Sequence, residues 1–238
     1  MNTLTKNLKM LVLATTVLTA SYVGIVNADT GSREIKLLTA NFDARQIEQV
    51  EVGDFHFKPG QVAPIHTHTA PAVGYVAKGE IIYQVEGEKQ KLLREGDAFY
   101  EPTGKRILRF DNASATEEAI FLDFNLEQKG EPFIVFEEKP TQAIDRRTLP
   151  TIDLKGKTVD QVDIYAQELA GGEVANFKTE VPTLGLVAEG IVELLVKGQK
   201  PQRITAGGSF SVPTIGSVAT ISNSSSEVSA KVITFRLK

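Results

Sequence analysis

The sequence predicts an all-β fold of two tandem barrels. Three observations carry this prediction: one segment repeats at a constant offset, each copy is a series of short runs rich in branched and aromatic residues, and Gly and Pro punctuate those runs. Strands in that pattern point to a sandwich or barrel rather than to alternating strand–helix–strand units.

The chain opens on a segment of another kind. Lys6 and Lys9 precede an uncharged run from Met10 to Ala28, which closes with Val26-Asn27-Ala28 before Asp29. A basic start, an apolar middle and a small-residue end make an export signal, so residues 1–28 are read as a cleaved signal peptide. The competing reading is an uncleaved anchor, because about 19 uncharged residues just reach across a bilayer. Interspersed Thr, Ser and Gly weaken that alternative. The mature chain is expected to be exported, periplasmic or secreted, with no membrane insertion after cleavage.

Behind the signal, Pro71-Ala72-Val73-Gly74-Tyr75-Val76-Ala77-Lys78-Gly79 aligns with Pro182-Thr183-Leu184-Gly185-Leu186-Val187-Ala188-Glu189-Gly190, an offset of about 111 residues. The same offset carries Gly96, Phe99 and Pro102 onto Gly207, Phe210 and Pro213, and Asn112 and Ser114 onto Asn223 and Ser225. Glu80–Val85 and Ile191–Val196 read as strands followed by the turn glycines Gly87 and Gly198. Phe121–Leu126 and Val232–Leu237 alternate as half-buried strands do. Asp43–Gln49 and the connector Thr141–Arg147 leave room for some helix, though neither segment is long. Charged residues and Pro interrupt the pattern near Glu138–Pro150, which divides an N-terminal domain (29–140), holding the functional pocket, from a C-terminal domain (141–238).

Composition narrows the partners. The net charge of −4 comes with scattered basic residues, so no nucleic-acid footprint is present. Cysteine is absent, which excludes a disulfide framework and lipid attachment through a cysteine. A small-molecule ligand is the expected partner, with homo-oligomer formation through the sheet faces as the plainer structural alternative.

Gly60, His66, His68 and Gly79, followed by Gly96, Pro102, Gly104 and Asn112, resemble the two sequence motifs of the cupin superfamily. The resemblance covers nearly the whole mature chain in duplicate. It implies two double-stranded β-helix barrels of the jelly-roll type. In the family, two histidines, a glutamate and a third histidine hold a first-row divalent metal inside the barrel. Here Ala72 stands at the glutamate position and Ile107 at the third histidine position, so the motif is degenerate. In the second copy Phe177, Thr179, Thr183 and Val218 occupy the four positions, and that copy is expected to be structural.

His66 and His68 are two apart, so on a strand both imidazoles face one side. Glu101, on the run approaching the lost histidine, is the candidate for the missing carboxylate, against the bland reading of a solvent-facing strand residue. Tyr75 and Tyr100 are candidates for orienting a ligand. His56, the one other histidine, has no special reason to join. Two readings stay open. In one, His66, His68 and Glu101 hold a divalent metal (Fe, Mn, Ni or Zn) for dioxygenase- or isomerase-like chemistry. In the other, the same residues form a metal-free, non-catalytic ligand site. No catalytic residue is assigned, and the substrate is not legible.

Overall fold

The structure is a computed structural model, and it describes residues 33–238 apart from Pro213. The export segment 1–28 and the Pro213 position of the repeat lie outside the described residues. Among the described residues there is no helix. The first half holds β1 (Glu34–Phe57), β2 (His66–Thr67), β3 (Ala72–Lys78), β4 (Glu80–Val85), β5 (Lys91–Arg94), β6 (Ala98–Glu101), β7 (Ile107–Asn112) and β8 (Ala119–Glu127). A connector with β9 (Val135–Phe136) and β10 (Asp145–Thr148) follows. The second half holds β11 (Ile152–Leu169), β12 (Val174–Lys178), β13 (Thr183–Glu189), β14 (Ile191–Val196), β15 (Gln202–Thr205), β16 (Ser209–Val212), β17 (Val218–Asn223) and β18 (Ala230–Leu237).

One long sheet crosses both halves in the order β16-β13-β18-β11-β1-β8-β3-β6, with β10 added alongside β1. A smaller sheet completes each half: β5-β4-β7-β2-β9 in the first and β12-β17-β14-β15 in the second. Pairing follows one scheme in both. Gly74 faces Phe99 and Asp123 across its two ladders, and Gly185 faces Phe210 and Thr234. At both glycines the ring of the facing phenylalanine, Phe99 or Phe210, occupies the place an added Cβ would take.

Side-chain alternation divides the core into three parts. Val50, Val52, Val73, Tyr75, Leu122 and Phe124 on one face of the long sheet pack against Leu184, Leu186, Ile233 and Phe235 from the second half. The rings of Phe124 and Phe235 meet there at 4.3 Å between centroids. On the opposite face Phe55, Phe57, Phe99 and Phe121 meet Phe110 from the smaller sheet, and together they fill the interior of the first half. Leu169, Val187, Leu194, Phe210 and Ile221 do the same in the second.

Three sequence expectations are corrected. Asp43–Gln49 is part of β1, where Arg45 and Ile47 pair with Val159 and Lys157. Thr141–Arg147 contains the start of β10, with Arg146 opposite Phe55. Both segments are too short to sustain a helix alone, and a neighbouring strand with open hydrogen-bonding groups captures their backbone instead. The strand over Phe121–Leu126 is also not half-buried: it has β1 and β3 on either side and a packed core against each face.

Candidate metal centre

The site is built on three strands of the first half. In β2 the His66 backbone pairs with Ile107 on one side and Phe136 on the other, so the connector strand β9 closes over the histidine segment. His66 and His68 are 3% and 1% exposed, and their rings stand 5.5 Å apart at 74°. Nδ1 of His66 lies 2.8 Å from the Pro64 carbonyl oxygen. A carbonyl only accepts, so Nδ1 donates to it, and Nε2 is the ring nitrogen turned toward Glu101.

Glu101 supplies the carboxylate. It is 3% exposed, not solvent-facing, and lies 3.5 Å from His66 Nε2 and 3.1 Å from His68 Nε2. Its position follows from strand alternation: Phe99 and Glu101 face the interior, while Ala98 and Tyr100 face away. Ala72, at the family's glutamate position, is the direct cross-strand partner of Glu101. The carboxylate absent from β3 is thus provided one strand over, on the same face.

Electrostatics within this group are strong. Burial would raise the Glu101 carboxyl, but the facing imidazoles, His68 foremost, hold it well below the usual carboxylate range. Burial would lower His68, and the Glu101 charge outweighs that and lifts it to about 9. Asp123, 3% exposed on β8, lines the same cavity. Its carboxyl is pushed up to about 8 by burial and by the negative charge of Glu101. Sequence reasoning missed Asp123, although an acid in the middle of the apolar run Phe121–Leu126 was a visible anomaly.

The donor set fits a metal ion. One ligand atom from each of His66, His68 and Glu101 falls within 4.8 Å of the others. Both ring nitrogens of His68 and Oε1 of Glu101 are buried without an aligned hydrogen bond, and His68 Nε2 meets the other carboxylate oxygen of Glu101 only as an ion pair at 3.1 Å. Orphaned buried atoms of this kind are costly unless something satisfies them, and two imidazoles with a carboxylate suit first-row divalent ions. The cavity beside them is about 30 Å³ and is walled by Phe55, Phe57, Phe110, Phe121, Ile134 and Phe136.

The remaining candidates lie elsewhere. Tyr75, 2% exposed, points into the core shared by the two halves, and Tyr100 packs on the outer side of β6 against Phe42. Neither meets the cavity, because each is one residue out of phase with an inward-facing position. His56 is held on the outer face by Asp54 and Glu118 at 3.3 and 3.2 Å. Ile107 is fully buried among the aromatic residues of the first half.

Comparison with known proteins agrees with this architecture. Residues 53–125 match the family model described as Cupin domain. Among solved structures, AerE from Microcystis aeruginosa superposes with a TM-score of 0.59 at 15% identity, covering 87% of this chain and 97% of that one. The salicylate 1,2-dioxygenase of Pseudaminobacter salicylatoxidans gives 0.55 at 14% identity, covering 80% and 71%. A Bacillus subtilis oxalate decarboxylase whose Mn(II) centres have been studied gives 0.54 at 14% identity, covering 85% and 76%. No curated protein sequence matches. The family match and these neighbours support the cupin superfamily, and at this identity the structural likeness is one of fold.

Proposed function

We propose that this chain is an exported cupin of two tandem barrels, 29–140 and 141–238, that holds one divalent first-row metal in its first barrel. The ligands are His66, His68 and Glu101, and the ion serves the binding or conversion of a small molecule. The observation that carries this reading is the convergence of three buried donors, with orphaned atoms on His68 and Glu101, at one small apolar cavity. When bound, such an ion supplies Lewis-acid or redox chemistry, and three protein ligands leave coordination positions open to a substrate. The residues around it do the rest. The Pro64 carbonyl orients the His66 ring, and the phenylalanine walls, with the connector residues Ile134, Phe136 and Ile144, give the cavity an apolar lining that excludes bulk water.

Manganese is the first candidate, since a neighbour of the same fold is described by its Mn(II) centres; iron, nickel and zinc follow. The second half supports this division of labour by what it lacks. The offset places Phe177 and Thr179 at the histidine positions, Val212 at Glu101 and Thr234 at Asp123. None of these side chains is a good ligand for a divalent ion.

The test is elemental analysis of mature protein purified without chelator, beside His66→Ala/His68→Ala and Glu101→Gln variants. Near-stoichiometric metal in the native protein, lost in the double variant and reduced in Glu101→Gln, is the expected result. No metal in the native protein, even after reloading with manganese, iron, nickel or zinc, overturns the reading and leaves a metal-free ligand site.

A further inference from the structure

The connector between the two copies lies against the donor group. The offset of about 111 residues carries Glu34 onto Asp145 and Glu127 onto Lys238, so residues 128–144 lie between the copies and belong to neither. From this stretch Ile134, Phe136 and Ile144 line the cavity beside His66, His68 and Glu101. The Phe133 ring stands 6.2 Å from that of His68. His66, His68 and Glu101 are 3%, 1% and 3% exposed. A hydrated ion or a small molecule therefore reaches them only after part of the wall has moved.

The connector is the part of that wall held least firmly. Phe110 and Phe121 sit on β7 and β8, each with a hydrogen-bonded strand on both sides. β9, by contrast, pairs with β2 through two residues, Phe136 with His66 and Val135 with Thr67. Among residues 128–144 only Phe133 is buried. Few buried contacts and a short ladder mark a segment that opens without global unfolding. Its other fastenings are side chains: Arg45 pairs with Glu131, and Arg106 with Glu137. Arg146 pairs with Glu51 and lays its guanidinium 3.8 Å from the centre of the Phe133 ring. We propose that residues 128–144 form a strap that opens and closes over the first barrel and gates access to His66 and His68, with Arg146 pinning Phe133 in the closed position. That an ion passes the strap rests on the metal reading; that the strap covers the two histidines does not.

The experiment locks the strap. Thr67 and Val135 are cross-strand partners, and neither lines the cavity. Thr67→Cys/Val135→Cys places a disulfide across this pair in a chain with no other cysteine, so oxidation fixes β9 on β2 and reduction frees it. Metal-free protein is treated with diethyl pyrocarbonate, and modification of each histidine is followed by mass spectrometry. His66 and His68 should react at least about tenfold more slowly in the oxidised form, while His56, on the outer face, reacts equally in both. Equal rates at His66 and His68 in the two forms, or no reaction there in either, overturn the proposal. Arg146→Gln tests the pin without the disulfide: losing the contact with Phe133 should speed modification of His66 and His68 about two- to tenfold over the native protein. An unchanged or slower rate overturns the assignment of Arg146. Manganese uptake by the same disulfide variant separates the two readings. Uptake slowed on oxidation supports the gate, and uptake unaffected by oxidation overturns it. No manganese in either form, with the histidine difference intact, overturns the metal reading alone.

Discussion

Asn112 donates from Nδ2 to the carbonyls of Phe57, Lys58 and Glu117 at 3.1, 2.9 and 2.8 Å, and its Oδ1 accepts from the Ser114 amide at 2.9 Å. Asn223 makes the same set of bonds to Leu169, Ala170, Val228 and Ser225. The motif asparagine therefore ties the end of one strand to the turn before another, and Asn112 does not line the cavity beside His66, His68 and Glu101. Asn112→Ala is expected to cost about 1–3 kcal/mol for the carbonyls left unpaired, measured by chemical denaturation, with metal content unchanged. At the same scale, the buried charges set a pH dependence for chelator-treated protein. His68 is raised from 6.5 to about 9, so its stabilising contribution is complete below 6.5 and is lost as pH rises through 9. Asp123, raised from 3.8 to about 8, acts in the same direction, because the folded chain retains a proton that the unfolded chain releases. Glu101 is lowered from 4.5, so its contribution is present above that value and disappears on acidification below it. Thermal stability of the metal-free protein should therefore fall between pH 6.5 and 9, and fall less in Asp123→Asn. A midpoint that stays flat over that range contradicts the assignment of these buried charges.

Strand alternation decides which residues meet. Glu101 joins the histidines and Tyr100 does not, although they are adjacent in sequence, because one faces the interior and the other faces Phe42. This is why the site was only partly legible. The i, i+2 spacing of His66 and His68 is a local property and can be read from the chain, whereas the phase of Tyr75 depends on which side of β3 the second half covers. Asp123 was obscured for a related reason, since its strand carries apolar residues on one face and a mixed row on the other. The fold was more legible, because Gly and Pro at turns and the repeated Gly74 and Gly185 mark close approaches that other residues cannot make. The helices expected at Asp43–Gln49 and Thr141–Arg147 failed where tertiary pairing outweighed local preference. At Gly74 an added Cβ would stand 2.1 Å from Phe99 and 2.5 Å from the Leu122 carbonyl oxygen. Gly74→Ala should destabilise the protein by about 1–3 kcal/mol or more and release metal, since Phe99 and Glu101 share a strand. Unchanged stability in that variant would contradict the close packing of β3 on β6.

The two halves are joined by more than the connector. β1 and β11 pair along most of their lengths, and the core containing Phe124 and Phe235 draws residues from both sides. A shared core of this kind predicts one cooperative unfolding transition, checked by calorimetry; two resolved transitions would show that the halves are energetically separate. Phe235→Ala, about 3–5 kcal/mol destabilising from the lost packing, should lower the temperature at which the first half loses metal even though the substitution lies in the second. The central claim, that His66, His68 and Glu101 hold a metal, is tested most directly by an anomalous difference map from crystals of manganese-loaded protein. The account predicts one strong peak among His66 Nε2, His68 and Glu101, and none at Phe177, Thr179 and Val212. A map without a peak at those three residues, or with its peak elsewhere, contradicts it.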